Sequence, residues 1–324
     1  MLEPWVIALI VIGSILLILF MIYIPPLFIA LKVYKKELTR HTKDKWGREC
    51  SAPDNEEQLR MHNEGIEYMS QFKDKVKEIH IVNDGLNLYG EFFDLGFKKC
   101  AILLQGRTES LLYCYYYAKP YIESGYNIIV IDSRAHGNSD GIYNCVGLKE
   151  YRDVIKWAEY AHDELKQESI MLHGICIGAS TALYASFYGP DYIDKIVTDG
   201  MYINFYETFK NHMIVDKRPI FPFMSEIALI MKFKAHVNMK KGPINIIDKY
   251  SKPILFLYSK EDKFSLPPKS EILFNKCGSE HKKIVWFDHG AHSHIRINNT
   301  EKYDNSIKEF IKEIFDKNSL NNVN

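Results

Sequence analysis

The chain has 324 residues, with 41 lysine plus arginine and 41 aspartate plus glutamate residues, so its formal net charge is zero. This balance provides no overall attraction to nucleic acid or acidic substrates, and we expect no nucleic-acid partner. The six cysteines are scattered without a CxxC pair or metal-ligand spacing, so we expect reduced thiols, no bound metal and no other cofactor.

The first predicted element is a membrane-spanning helix over Trp5 to Ile24. These twenty residues are apolar apart from one glycine and one serine, enough to cross about 30 Å of hydrocarbon. Pro25 and Pro26 then mark its end. Since only Glu3 is charged ahead of this point, we expect a retained anchor over residues 1–31 and not a cleaved signal peptide.

Basic residues follow the span and set its expected orientation. Because such residues usually stay in the cytoplasm, we predict a single-pass protein of the cell membrane whose remaining chain faces the cytoplasm. Apolar residues continue from Leu27 to Leu31, which leaves a buried or re-entrant hairpin as the alternative. The basic residues are Lys32, Lys35, Lys36, Arg40, Lys43, Lys45 and Arg48.

Residues 32–74 form a predicted polar linker with one amphipathic helix. Asp54 followed by Glu57 resembles a capping box at the start of that helix. The residues expected to share its apolar face are Leu59, Ile66 and Met69.

Beyond the linker, short apolar runs alternate with helical segments, which predicts a mostly parallel sheet flanked by helices in an α/β domain over residues 75–316. The predicted strands are Ile79–Val82, Leu88–Phe93, Ala101–Leu104, Ile128–Asp132, Ile170–His173, Ile196–Thr198, Ile254–Tyr258 and Ile284–Phe287. The predicted helices are Leu111–Glu123, Leu148–Leu165, Ile177–Phe187, Pro268–Asn275 and Glu301–Phe315. Aromatic and apolar residues between charged ones indicate a small helical cap inserted at about 201–250, and residues 317–324 are expected to be a flexible tail.

The segment from Ser169 to Ser180 contains the motif with the clearest chemical meaning. A short apolar strand enters Gly174-x-Cys176-x-Gly178 and continues into a helix of small residues, the context of a nucleophile elbow. Glycines are needed on both sides because other side chains would clash with the strand and the helix. We therefore predict Cys176 as a nucleophile, against the alternative of a small apolar residue in a tight turn.

A carboxylate and a histidine follow the cysteine in the chain, in the order nucleophile, acid and base that a catalytic triad can have. Asp262 follows a predicted strand and is the candidate acid, with its neighbour Glu261 as the competitor. On the loop after the last strand, His292 is the candidate base, ahead of His289 and His294. A metal site made of those three histidines is the rival hypothesis.

Acyl transfer also requires amide groups that stabilise the developing oxyanion. Ile177 starts the helix after the nucleophile, and Arg107 follows the strand that ends at Gly106. We predict that their backbone N–H groups form the oxyanion hole. The alternative for Arg107 is a plain strand-to-helix turn with its side chain in solvent.

Over roughly residues 75 to 316 the chain resembles the α/β-hydrolase superfamily, and more narrowly the bacterial single-span, serine-aminopeptidase-like or esterase-like hydrolases. The motifs that carry this resemblance are Asp84–Gly90, Gln105-Gly106, Asp132–Gly141, the elbow, Asp262 and Gly290–His292. The resemblance implies that the Asp132–Gly141 loop, including His136, is structural. Two residues depart from the family pattern: Gln105 replaces its usual histidine and Cys176 its usual serine.

The expected function is hydrolysis of an ester, thioester or amide through Cys176, His292 and Asp262, with a thioester intermediate. The expected substrate is a small acyl compound, and membrane anchoring would suit a lipid-derived one. Two alternatives stay open, namely an acyltransferase with the same cysteine nucleophile and a non-catalytic module whose cap binds a partner.

Overall fold

The structure is a computed structural model that describes the backbone of residues 3–321 and the side chains of residues 3–314, and it is centred on one eight-stranded sheet. All eight strands predicted from the sequence are present. Their bounds are β1 Val76–Asn83, β2 Leu86–Phe93, β3 Lys99–Leu104, β4 Asn127–Ile131, β5 Ser169–Ile175, β6 Ile193–Asp199, β7 Ile254–Ser259 and β8 Lys282–Phe287.

The strands lie in the order β1-β2-β4-β3-β5-β6-β7-β8 across the sheet. β2 pairs antiparallel with β1 and β4, and the remaining pairs are parallel. The carboxyl ends of the parallel strands therefore meet at one edge, where loops can bring distant side chains together.

Helices cover both faces of the sheet, as the α/β pattern predicts. Their bounds are α1 Pro4–Leu38, α2 Glu56–Ser70, α3 Leu111–Cys114, α4 Lys119–Glu123, α5 Glu150–Asp163, α6 Ile177–Tyr188, α7 Phe205–Val215, α8 Phe223–Lys234, α9 Pro267–Lys276, α10 Ile295–Asn298 and α11 Thr300–Asn321. Helix α11 covers part of the expected tail, and residues 322–324 lie outside the described residues.

The core has two layers because successive strand residues point to opposite faces. On β3, Ala101 and Leu103 belong to the cluster beneath α2, α3, α4, α11 and the cap. Ile102 and Leu104 belong to the cluster beneath α5, α6 and α9.

Helix α1 does not end at Pro25 and Pro26 but continues to Leu38, so that prediction was wrong. Each proline removes one backbone donor, yet prolines are tolerated in long apolar helices when neighbouring elements support the chain. Here the turns after the prolines bury Ala30, Tyr34 and Leu38 in the cluster beneath α2, α3, α4, α11 and the cap. This packing stabilises the helix beyond Pro25 and Pro26. The stretch after the span is thus packed on the domain.

Helix α2 forms as expected, although its cap and buried face differ from the prediction. Asn55, and not Asp54, is the N-cap, and its side chain accepts a hydrogen bond from the Gln58 amide. The buried positions are Gln58, Met61, Gly65 and Met69, whereas Leu59 and Ile66 are exposed. Gly65 is required at the contact because a Cβ there would lie 2.6 Å from the backbone nitrogen of Tyr116.

The segment expected as one helix over Leu111–Glu123 is instead divided into α3, a 3₁₀ turn and α4. Pro120 lies in the first turn of α4, where its missing N–H costs nothing, but it cannot continue a helix from the preceding residues. The cap consists of α7, α8 and two short 3₁₀ turns between β6 and β7.

Candidate active site

Cys176 lies between β5 and α6 in a backbone conformation that side chains seldom adopt. Its φ is 56° and its ψ is −111°, and helix α6 begins at the next residue. Its amide donates a 2.9 Å hydrogen bond to the Asp199 carbonyl, which ties the turn to the end of β6. A strained, well-supported position of this kind is typical of a functional residue.

The flanking glycines of the elbow are required by close backbone contacts. A Cβ on Gly174 would lie 2.1 Å from the carbonyl carbon of Gly178. A Cβ on Gly178 would lie 2.4 Å from the Leu104 carbonyl oxygen on the neighbouring strand. The Gly-x-Cys-x-Gly motif therefore lets α6 begin directly against β3 with the cysteine at the turn.

Asp262 and His292 meet at the same edge of the sheet, 30 residues apart in sequence. His292 Nδ1 lies 2.7 Å from Asp262 Oδ2. Asp262 Oδ1 accepts hydrogen bonds from the amides of Phe264 and Ser265, both at 2.8 Å. The carboxylate is fully buried and fixed by the turn, so it orients the imidazole.

The other nitrogen of His292 is the one available to Cys176. Nε2 is buried and has no hydrogen bond of regular geometry among the described side chains. Burial lowers the pKa of His292, but Asp262 and Cys176 outweigh it and raise that pKa well above its usual range. Such contacts are often loose without substrate.

The residues considered as alternatives to Asp262 and His292 make other contacts. Glu261 accepts a 3.0 Å hydrogen bond from the Gly290 amide and lies 3.5 Å from exposed His289. His294 Nδ1 lies 2.9 Å from the His292 carbonyl. Within the described residues, no three histidine, cysteine or acidic side chains converge as a metal site would require. The histidine-rich loop therefore presents one imidazole, His292, to the elbow.

The two predicted oxyanion donors have amides that are free to bind a ligand. Neither the Ile177 nor the Arg107 amide donates a hydrogen bond within the part of the chain that the structure describes. The Arg107 carbonyl is fixed by His136 Nε2 at 2.7 Å and Asn144 Nδ2 at 3.3 Å. The Arg107 side chain does not reach into solvent, as the alternative supposed, but pairs with Glu37 at the end of α1.

Gln105, which replaces the usual histidine of the family, is buried and has a structural contact. In the amide orientation that satisfies both atoms, it donates to the Ile131 carbonyl at 2.9 Å and accepts from the Ser133 amide at 2.8 Å. The glutamine therefore ties the end of β3 to the loop after β4.

The cap contributes a second histidine that sequence reasoning missed. His212 on α7 stacks on Phe264 with ring centroids 3.6 Å apart, and Phe264 meets His292 edge-on at 5.5 Å. Asn211 Nδ2 also donates to the Phe264 carbonyl at 3.0 Å. Burial, with Arg107 and His292 nearby, lowers the pKa of His212 to about 3, so this ring is neutral.

The cap closes over Cys176, which is only 8% exposed. The thiol therefore lies in a mainly apolar environment. The aromatic and methionine side chains of the cap that share its buried cluster include Tyr202, Phe205, Phe209, Met213 and Met224.

A buried polar network beneath the site was also missed. Asp199 Oδ2 accepts a 2.7 Å hydrogen bond from Tyr303, whose hydroxyl lies 3.1 Å from His173 Nε2. Burial raises the pKa of Asp199 to about 7 and lowers that of His173 to about 3. The sequence signal that could have indicated Asp199 is the presence of an acidic residue directly after a predicted strand and before Gly200.

Comparisons with known proteins agree with this architecture. A family model described as alpha/beta hydrolase fold matches residues 102–225. "Uncharacterized protein YqkD" of Bacillus subtilis is 26% identical over 219 residues, covering 66% of this chain and 72% of that protein. "Uncharacterized membrane protein YNL320W" of Saccharomyces cerevisiae is 23% identical over 193 residues, covering 60% of this chain and 63% of that protein.

Solved structures show the same arrangement of strands and helices. The esterase Pf2001 of Pyrococcus furiosus superposes with a TM-score of 0.63 at 22% identity, over 76% of this chain and 93% of the esterase. At that identity the likeness concerns the fold. Together, the strand order, the family model and this superposition show that the chain has the α/β-hydrolase fold.

Proposed function

We propose that the chain is a membrane-anchored hydrolase that cleaves an ester, thioester or amide through a covalent intermediate on Cys176. The observation that supports this most strongly is the buried Asp262–His292 contact of 2.7 Å, next to a cysteine in an elbow with φ of 56°. The fold-level likeness to an esterase supports the same reaction type. A structural cysteine would require neither the aligned imidazole nor the strained backbone.

In the first step, His292 holds the proton that leaves the Cys176 thiol, and the resulting thiolate attacks the acyl carbon. A carbon–sulfur bond forms, and the carbonyl electron pair moves to the oxygen. The amides of Ile177 and Arg107 donate to that oxyanion. Collapse breaks the bond to the leaving group, which takes the proton from His292, and a thioester remains on Cys176.

In the second step, water attacks the thioester while His292 accepts one of its protons. The oxyanion forms again at the same amides, and its collapse releases the carboxylic acid and the Cys176 thiolate. Asp262 remains ionised throughout and stabilises the imidazolium in both steps. If an amine or alcohol replaced water, the same geometry would perform acyl transfer.

The closed cap favours an apolar acyl group in the substrate. Cys176 belongs to a buried cluster that includes Phe205, Phe209 and Met224 of the cap. Burying a methylene group against such side chains contributes about 0.8 kcal/mol. A medium or long acyl chain would therefore bind better than an acetyl group. We propose no nucleic-acid partner and no cofactor.

Membrane anchoring is part of the same proposal. The apolar part of α1 is exposed along its whole length and is long enough to span a bilayer. The relative YNL320W, whose name describes a membrane protein, supports an anchored chain. The basic residues after the span support a cytoplasmic position for the hydrolase domain.

Intact-mass analysis of the full-length protein in lipid nanodiscs tests the covalent step. The protein is incubated with short-chain and long-chain p-nitrophenyl esters, beside Cys176→Ala and Cys176→Ser. Cys145→Ala is the matched control, because Cys145 is also buried but lies outside the elbow.

The expected result is one acyl adduct that maps to Cys176 and turns over in the native protein and in Cys145→Ala. Cys176→Ala should show neither the adduct nor turnover. Normal turnover by Cys176→Ala would contradict the proposal, since no thioester could form. A stable adduct released only by an added amine or alcohol would identify an acyltransferase.

A further inference from the structure

The connection between α7 and α8 exposes apolar side chains that the domain does not cover. We call residues 214–221 the cap tip. Ile214, Val215 and Phe221 are 51%, 45% and 68% exposed, although the preceding Met213 is buried. Apolar side chains grouped on one protruding segment are typical of a surface that contacts a partner or a membrane.

The cap tip lies against the membrane helix. The rings of Phe221 and Tyr23 meet edge-on with centroids 6.0 Å apart. Twenty residues counted from Trp5, at about 1.5 Å each, span roughly 30 Å and end at Ile24. Tyr23 is therefore at the domain end of the span, where tyrosines are enriched at the membrane–water boundary. Phe221 lies at the same level.

The charge of this region is complementary to anionic lipid. Exposed Lys217 and Arg218 lie within the cap tip, between its apolar residues, together with Asp216, which pairs with Arg218 at 3.3 Å and leaves the tip with a net charge of +1. The cap over residues 201–250 carries eight lysine or arginine and four aspartate or glutamate residues, a net charge of +4, whereas the whole chain is neutral. Apolar side chains flanked by basic ones are the pattern of segments that lie in the bilayer interface.

We infer that the cap tip inserts into the interface of the bilayer that α1 spans, with Ile214, Val215 and Phe221 among the acyl chains and Lys217 and Arg218 at anionic headgroups. This inference rests on the membrane anchoring proposed above. The tip continues directly from α7, whose His212 and Met213 lie over the site. The tip is therefore continuous with the helix whose His212 stacks beside the site.

Photo-crosslinking of the full-length protein in nanodiscs containing anionic lipid tests the insertion. The photoreactive residue p-benzoyl-phenylalanine is placed in turn at three exposed positions, and lipid adducts are measured by mass spectrometry. Val215 reports on the cap tip. It is preferred to Phe221, because a photoreactive group at position 221 would also react with the neighbouring Tyr23. Ile18 reports on the span. Phe97 is the control, because it precedes β3 and lies at the amino ends of the parallel strands, opposite the ends that carry the site.

Lipid adducts at Val215 and Ile18, with none at Phe97, are the expected result. Adducts at Ile18 alone would overturn the inference while leaving the anchor intact. Adducts at none of the three positions would overturn the anchor itself, and the inference with it. Equal adduct yields at Val215 and Phe97 would show unspecific contact and would also reject the inserted tip.

Discussion

Arg107 and Glu37 join the loop after β3 to the last turn of α1. Arg107 Nη1 donates to the backbone carbonyl of Glu37 at 2.8 Å and lies 3.3 Å from its carboxylate. Both side chains are mostly buried, so this contact is less screened than a surface ion pair. The residue whose amide we assign to the oxyanion hole is thus fixed by the end of the membrane helix.

Removing the Arg107 side chain should slow the reaction more than removing that of Glu37. Arg107→Ala loses both bonds and loosens the loop, whereas Glu37→Ala keeps the bond to the backbone carbonyl. We expect kcat to fall about tenfold in the first variant, below the 10²-fold or greater loss of a whole oxyanion donor. Steady-state kinetics with a p-nitrophenyl ester measure this. Equal losses of kcat in both variants would contradict the assignment of Arg107 to the oxyanion hole. The control variant is Lys32→Ala, because Lys32 is exposed.

The elbow glycine Gly178 should not tolerate a methyl group. Gly178→Ala places a Cβ 2.4 Å from the Leu104 carbonyl oxygen, so β3 and α6 must separate. We expect a loss of stability of about 1 to 3 kcal/mol, together with loss of activity. Thermal unfolding in detergent measures the first. Gly13→Ala is the matched control, because a Cβ at Gly13 meets no heavy atom within 4 Å.

Protonated His292 should stabilise the fold in a pH-dependent manner. Because its pKa is raised in the folded state, its contribution is complete below the unfolded pKa of about 6.5 and is lost as pH rises through the folded pKa. The difference in unfolding free energy between native protein and His292→Gln should therefore be larger near about pH 6 than near about pH 9. Urea titrations at both pH values measure it, and the exposed His236→Gln should show no such change. A difference that grows with pH would refute the raised pKa.

Arg134 should be among the residues most important for stability outside the site. Its guanidinium binds buried Asp153 at 2.6 and 2.7 Å and reaches Asp84 at 3.0 Å. Arg134→Ala leaves the buried Asp153 carboxylate without its charged partner and with only the hydrogen bond from Asn83, which costs about 3 to 5 kcal/mol.

The exposed pair Arg60–Glu64 is the control for this prediction. Arg60→Ala should cost less than about 1 kcal/mol, because a surface ion pair contributes little. Chemical denaturation of both variants gives the comparison. Equal costs would show that the buried pair has no special part in folding.

The sheet could be predicted from sequence because each strand is a short apolar run between turn residues. The elbow could be predicted because β5, Cys176 and α6 follow one another within a dozen residues and require glycine at fixed positions. The acid was harder to predict from the sequence, since Asp262 and Glu261 are neighbours and only the turn after β7 decides which of them faces His292. The site and the strands therefore depend on local signals.

Features that depend on packing between distant segments were predicted poorly. The continuation of α1 past Pro25 depends on Ala30 and Tyr34 reaching a core built by later parts of the chain. The buried face of α2 is set by Gly65 against Tyr116, a contact that no periodicity of apolar residues reveals. The stacking of His212 on Phe264 likewise joins the cap to a loop fifty residues away.

Helix α1 extends from the proposed membrane span into the core as one continuous helix of 35 residues, about 50 Å long. A flexible tether would let an anchored domain rotate freely above the membrane, whereas in the anchoring that we propose the tilt of this helix would set the orientation of the domain. Cutting the chain after residue 31 would also divide a packed helix and uncover the surface that Leu27 and Ala30 contact. Helix α1 is thus a structural part of the α/β domain as well as its proposed anchor.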